Sequence, residues 1–177
     1  LEGTLYFFAT SSSRNYELWK SDGTEAGTVL VKDVSQSSFP YPGDLMNLEG
    51  TLYFSANGHE LWKSDGTAAG TVIVKSFIEL TGVASNNSPQ SLTNVSGTLY
   101  FSANDGLNGR ELWKTDGTEA GTVRVKDINV GALGSVPDFL TNVDGTLYFF
   151  ANDGVSGIEF WKSDGTEAGT VRVKDIR

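Results

Sequence analysis

The chain has no cysteine, one methionine, one histidine and four prolines in 177 residues. Without cysteine there are no disulfides and no thiolate metal sites, and that absence fits an oxidising or a reducing compartment equally. No stretch approaches the roughly 18 apolar residues of a membrane span, so no membrane span is expected. Positive charge is scarce: 13 Lys and Arg stand against 22 Asp and Glu, for a net charge of -9. The acid is scattered through turns and serves solubility. A nucleic-acid or anionic-membrane partner would want a basic stripe, which is missing. No segment shows a helical period with caps. There is no phosphate loop, ligand cluster or paired carboxylate outside structural turns. Hence no catalytic residue, no metal and no cofactor is expected. The sole histidine, His59, sits in a short turn without a nucleophile context. The only methionine is Met46, so the sequence reads as a processed or partial piece.

What the chain does have is repetition. Glu-(Leu/Phe)-Trp-Lys-(Ser/Thr)-Asp-Gly-Thr begins at Glu17, Glu60, Glu111 and Glu159. Gly-Thr-Leu-Tyr-Phe precedes each copy, at Gly3, Gly50, Gly97 and Gly145, and Gly-Thr-Val-x-Val-Lys follows from Gly27, Gly70, Gly121 and Gly169. The second phrase recurs at steps of 47, 47 and 48 residues, a period that means solenoids, propellers or arrays. The third repeat predicts four short strands joined by local turns: 91–95, 98–103, 110–115 and 122–128. Leu99, Phe101 and Ala103 point to one face of their strand and Tyr100 to the other. Leu112 and Trp113 also oppose each other. Both faces are therefore apolar and both must be covered, unlike a lone sandwich sheet.

Sheets stacked face to face meet this demand. The fold class is thus all-β, a β-propeller-like array of four-stranded antiparallel blades in about four repeats, with a β-solenoid as the alternative. The single array 1–177 divides into repeat 1 at 1–34, repeat 2 at 44–80, repeat 3 at 91–128 and repeat 4 at 139–177. Repeat 1 is expected to form only three strands, its inner strand falling before residue 1.

The turns between the first and second strands, and between the third and fourth, are nearly constant. The loops between the second and third strands vary, as do the links 35–43, 77–90 and 129–137. A meander puts the constant turns at one end and all the variability at the other. Loops on a rigid scaffold are where binding usually evolves. The candidate binding rim is therefore Arg14, Asn15, Tyr16, His59, Asn108, Arg110 and Ser156.

Asp22, Asp65, Asp116 and Asp164 read as turn formers, because a calcium loop needs six to eight oxygens and each turn offers one carboxylate. Loops 104–111 and 152–159, each opening Asn-Asp-Gly, are closer to an ion loop, and calcium there is left open. Trp19, Trp62, Trp113 and Trp161 read as inter-blade core, with sugar stacking as the alternative. Glu111 and Lys114 face opposite sides of a strand and are expected to pair across strands or with a neighbouring blade.

The eight-residue phrase at Glu17–Thr24, Glu60–Thr67 and 111–118, with Phe160 for Leu in the last copy, resembles the bacterial ELWxxDGT repeat family. The blade also resembles a kelch blade, without the kelch Gly-Gly pair. The first resemblance implies a repeat from a large secreted or surface protein, hence an extracellular or cell-surface location. It implies a non-enzymatic structural or protein-interaction module. A carbohydrate-binding propeller lectin and an accessory domain of an extracellular enzyme are the alternatives. The partners expected are further repeats of the same chain or other copies in an assembly, with a glycan as a second class. The terminal units, through Leu5 and Phe7 at one end and Phe160 and Trp161 at the other, are expected to be covered by such copies.

Overall fold

A computed structural model of the chain describes residues 1, 3–10, 15–34, 42–77 and 87–176. Arg14 and most of the links 35–43 and 77–90 lie outside the described residues. Among those described there are fifteen strands and no helix. Blade 1 is a three-stranded sheet of β1 (Leu5–Thr10), β2 (Tyr16–Ser21) and β3 (Val29–Asp33). Blade 2 runs β4 (Gly43–Leu48), β5 (Thr51–Ala56), β6 (Glu60–Ser64) and β7 (Val72–Ser76). Blade 3 runs β8 (Gln90–Val95), β9 (Thr98–Asn104), β10 (Arg110–Thr115) and β11 (Val123–Lys126). Blade 4 runs β12 (Asp138–Val143), β13 (Thr146–Asn152), β14 (Ile158–Ser163) and β15 (Val171–Lys174). Each is an antiparallel meander in chain order. Every repeat builds its own sheet, which removes the solenoid with one long continuous sheet.

Local chemistry sets the hairpins. Glu49-Gly50, Ser96-Gly97 and Asp144-Gly145 all have positive φ at both residues, the backbone of the tight hairpin turn whose twist matches the strands. The glycine takes the larger angle, and its N–H donates to an Asn side chain three residues back: Asn47, Asn94 or Asn142. A register shift recurs just before the signature Trp in all four blades, between Leu18/Trp19, Leu61/Trp62, Leu112/Trp113 and Phe160/Trp161. Such a bulge adds local twist.

The chain divides into two compact units, Leu1–Ser76 and Phe77–Arg177. In the first, Phe54, Ala56 and Trp62 of blade 2 pack on Leu18 and Val31 of blade 1, with Tyr6 and Phe8 completing the layer. Phe8 meets Phe54 edge to face at 5.2 Å. In the second, Leu147, Phe149, Ala151 and Trp161 of blade 4 pack on Tyr100, Leu112 and Val125 of blade 3. One rule serves both units: the Leu-Phe-Ala-Trp face of a blade meets the Tyr-Leu-Val face of the blade before it. Burying a side chain such as Phe149 contributes about 1.5–3 kcal/mol.

Trp161 corrects an expectation. It is not on the outer face of blade 4 but buried toward blade 3, at 7 % exposure. Alternation explains this: Trp161 pairs with Phe149 across the sheet and shares its face, while Phe160 turns to the opposite side.

Candidate binding site at the variable rim

The constant end of each blade is a closed set of hydrogen bonds. In blade 1 the Asp22 carboxylate accepts from the Thr24 amide at 2.9 Å and the Thr24 hydroxyl at 2.7 Å. The Thr24 hydroxyl accepts from the Gly27 amide, and the Thr28 hydroxyl donates to the Thr24 carbonyl. Ser21 caps the turn by accepting from the Gly23 amide and meeting Thr28 at 2.8 Å. The same bonds recur in blade 2, in blade 3 and in blade 4. Bonds from the Thr side chain and amide hold Asp22, Asp65 and Asp164 below the usual carboxylate range. The carboxylate lies over the later glycine, so a Cβ at Gly27, Gly70, Gly121 or Gly169 would overlap it. Every polar residue of Ser/Thr-Asp-Gly-Thr-x-Ala-Gly-Thr is thereby committed to the turn.

The turn also receives the preceding blade. Lys20 Nζ donates to the Gly66 carbonyl at 3.1 Å, and Lys114 to the Gly165 carbonyl at 2.9 Å. The Tyr6 and Tyr100 hydroxyls sit where a Cβ on Gly66 and Gly165 would be. Lys32 and Lys126, from the third phrase, donate to the carbonyls of Ala68 and Thr170. Burial, with Asp65 and Asp164 nearby, pushes the Tyr6 and Tyr100 phenols up. The three repeated phrases thus form one clamp, in which Tyr and two Lys of a blade hold the Asp-Gly-Thr turn of the next. As expected, Glu111 and Lys114 face opposite sides: Lys114 bonds a backbone carbonyl of the neighbouring blade, and Glu111 turns the other way.

Glu111 is fully buried. Its carboxylate accepts from the amides of Ile128, Asn129 and Ser135 and from the Ser135 hydroxyl at 2.6 Å. It therefore pins the link between blades 3 and 4. Burial pushes the Glu111 carboxyl up, while the four donors pull against that rise. The role went unread in the sequence, although a signal existed: a Glu stands at the start of the Trp-bearing strand in every repeat, and a buried acid there must be satisfied by donors.

Around this anchor the variable rim of blades 3 and 4 is knit together. Gly109 and Gly134 approach so closely that a Cβ on either would strike backbone, and both have positive φ. The Val136 amide donates to the Arg110 carbonyl and the Asn152 amide to the Ser135 carbonyl, each at 2.9 Å.

Most of the candidate rim residues in this unit serve the loops themselves. Asn108 donates from its amide and side chain to Asp105. Arg110 reaches the Ser102 carbonyl at 2.8 Å, and burial pulls its guanidinium below the ordinary range. Ser156 lies 2.6 Å from Arg172. In the first unit Asn15 and Tyr16 are half-buried, and His59 stands 3.7 Å from Glu60. Asn15 and Glu60 share a small recess with Asn57 and Trp62. The acids of the two loops resembling an ion site are likewise occupied. Asp105 accepts from the Leu107 and Asn108 amides, and Asp153 from the Val155 and Ser156 amides and Arg172.

What the rim offers outward is apolar. Val130, Leu133 and Val155 are 85 %, 87 % and 91 % exposed. Leu133, Val136, Val155 and Ile158 line an open cleft of about 960 Å³ whose floor includes Asn129, Ser135 and Asn152. Sequence reasoning sought polar recognition residues on these loops and passed over the aliphatic ones beside them.

No family model matches the chain, and no curated protein matches it. Solved structures do. The computationally designed Ika8 protein matches over 97 % of this chain and 46 % of its own, with a TM-score of 0.53 and 14 % identity. Puromycin hydrolase matches over 98 % of this chain and 31 % of its own, with a TM-score of 0.51 and 13 % identity. A complex of a puromycin hydrolase mutant with PGG gives 0.53 at 14 % identity, over 96 % of this chain and 28 % of its own. The chain therefore spans less than half the length of these structures. At such identities the likeness concerns the fold alone, and that fold is of propeller type.

Proposed function

We propose that the chain is a non-enzymatic protein-interaction module of a larger exported bacterial repeat protein of the ELWxxDGT type. It binds its partner through the variable rim of blades 3 and 4. One observation carries this reading: Leu133 and Val155 stand almost fully exposed at the mouth of a cleft whose polar side chains are turned inward on the loops. Exposed apolar surface rimmed by polar groups marks interaction sites. The partner it suits is a protein segment carrying aliphatic or aromatic side chains. A lectin stacking sugar on the signature rings finds Trp62, Trp113 and Trp161 buried.

Panning a displayed peptide library against the chain tests the reading. Apolar peptides should be enriched, and Leu133→Asp with Val155→Asp should abolish their binding at unchanged melting temperature. Enrichment indifferent to those substitutions, or a glycan-array signal in its place, contradicts it.

A further inference from the structure

The loops Asn-Asp-Gly-Leu-Asn-Gly at 104–109 and Asn-Asp-Gly-Val-Ser-Gly at 152–157 are built alike. In each, the leading Asn side chain accepts from the Gly amide two residues on, at 2.8 Å in blade 3 and 2.7 Å in blade 4. In each, one oxygen of the Asp accepts from the next-but-one and following amides. The other oxygen is filled in two ways. Asn108 Nδ2 donates to Asp105 at 2.9 Å. In blade 4 the shorter Ser156 leaves that oxygen to Arg172, which reaches from β15 to Asp153 at 3.2 Å and to Ser156 at 2.6 Å. Different side chains thus complete one loop shape, and both loops hold an aliphatic residue at the tip: Leu107 at 68 % exposure and Val155 at 91 %.

Leu107 is the more informative of the two. Blade 4 follows blade 3, and its link packs against Gly109 through Gly134, yet Leu107 stays uncovered. An exposed tip therefore belongs to this loop even where a following blade is in place. The two tips also share one surface. The link that touches Gly109 bonds the Asn152 amide through the Ser135 carbonyl, and it adds the exposed Val130 and Leu133 between the loops. Charge narrows what can lie there. Within 104–110, 128–136 and 152–158 the only charged residues are Asp105, Arg110 and Asp153. Each is turned in on the protein, Asp105 and Asp153 on their own loops and Arg110 on the Ser102 carbonyl. The surface thus offers a nucleic acid, an anionic membrane or a charged peptide nothing to pair with.

We infer that Leu107 and Val155 are paired contacts for one partner, an uncharged protein segment that lies extended across the rim and sets one apolar side chain against each blade. The inference rests on the rim reading above and adds to it a second contact point on blade 3, a spacing and an absence of charge. Two contact points held by self-bonded loops select a segment by spacing, because one that cannot reach both gains from only one.

Two displayed libraries of uncharged peptides, panned against the full 177-residue chain, test it. One carries a single leucine in a background of Gly, Ser, Thr and Gln. The other carries two leucines at varied separation in the same background. The two-leucine library should be enriched about tenfold over the other, within one narrow range of separations, and equally at low and high salt. Leu107→Ser and Val155→Ser should each lower enrichment to the single-leucine level and remove the preferred separation, at unchanged melting temperature. Enrichment lost in Val155→Ser and kept in Leu107→Ser overturns the inference and leaves the rim reading standing, as does enrichment without a preferred separation. Enrichment of neither library overturns both. Self-association of the chain, or its binding to phosphatidylcholine vesicles, that Leu107→Ser abolishes while no peptide is enriched would make the occupant a second copy or a lipid surface, and overturns the inference too.

Discussion

At one end of blade 3 the turn Asp116–Gly121 repeats the hydrogen bonds of Asp22–Gly27 with distances that agree to about a tenth of an ångström. At the other end, the bonds of loop 104–110 recur only in loop 152–158, and the link 129–136 has no such copy among the described residues. The constant end spends every polar group on itself and on the blade before it. The variable end spends its polar groups on joining loop to link, and leaves aliphatic side chains outside. Repetition here records a packing constraint between successive blades, and variation records where that constraint is lifted. The signature phrase is therefore the least informative part of the chain about ligands, although it is the most conspicuous.

Glu17 and Glu60 sharpen the contrast. In blades 1 and 2 the indole N–H of Trp19 or Trp62 donates to the Glu two residues earlier. In blades 3 and 4 the indoles of Trp113 and Trp161 donate to the carbonyls of Ala103 and Ala151. That leaves Glu111 for the link and Glu159 for the Ile176 amide. The same residue at the same position thus takes different partners, the indole in blades 1 and 2 and the backbone of the following segment in blades 3 and 4.

The largest effect should come from the layer between blades. Trp161→Ala should cost about 3–5 kcal/mol in urea unfolding, whereas a ring placed for sugar stacking would cost far less. Next is the constant end. Gly121→Ala should destabilise by about 1–3 kcal/mol, because the new methyl overlaps the Asp116 carboxylate. Backbone entropy alone would give the opposite sign, a gain of about 0.4–1 kcal/mol, so the sign decides. Glu111→Gln should cost about 1–3 kcal/mol, since an amide cannot accept all four donors. Its amide exchange should quicken over 128–135 before anywhere else.

The two ends should also differ in pH response. Asp22, Asp65 and Asp164 have depressed native values. Their contribution is present above about pH 4, the unfolded value, and is lost as pH falls through the lower native values. Glu111 is raised and works the other way: its contribution is full below the unfolded value and is lost as pH rises through the native one. Urea midpoints for the unaltered chain and Glu111→Gln between pH 7 and 3 should converge or diverge accordingly. The smallest effect belongs to the rim, where Leu133→Ser should change stability by no more than about 0.5 kcal/mol.

The blades were legible in the sequence because strand alternation and the constant glycine turns are local. Leu99 and Tyr100 declare opposite faces without any tertiary knowledge. The turn role of the signature Asp followed from its own neighbours too. Tyr100 over Gly165 and Lys114 on its carbonyl were not legible, since they link residues 65 and 51 positions apart. Nor was the burial of Glu111, whose partners come from a link of variable sequence 17 to 24 positions away. The choice of face for Trp161 failed for a smaller reason: the position was read by its place in the last repeat and not by its parity with Phe149.

The clamp between successive blades is tested most directly by amide exchange in Tyr100→Ala. The account predicts faster exchange at Thr166 and Gly169, in the turn of blade 4, with Thr118 and Gly121 of the altered blade's own turn unchanged. Acceleration confined to blade 3, or none in either turn, would contradict it.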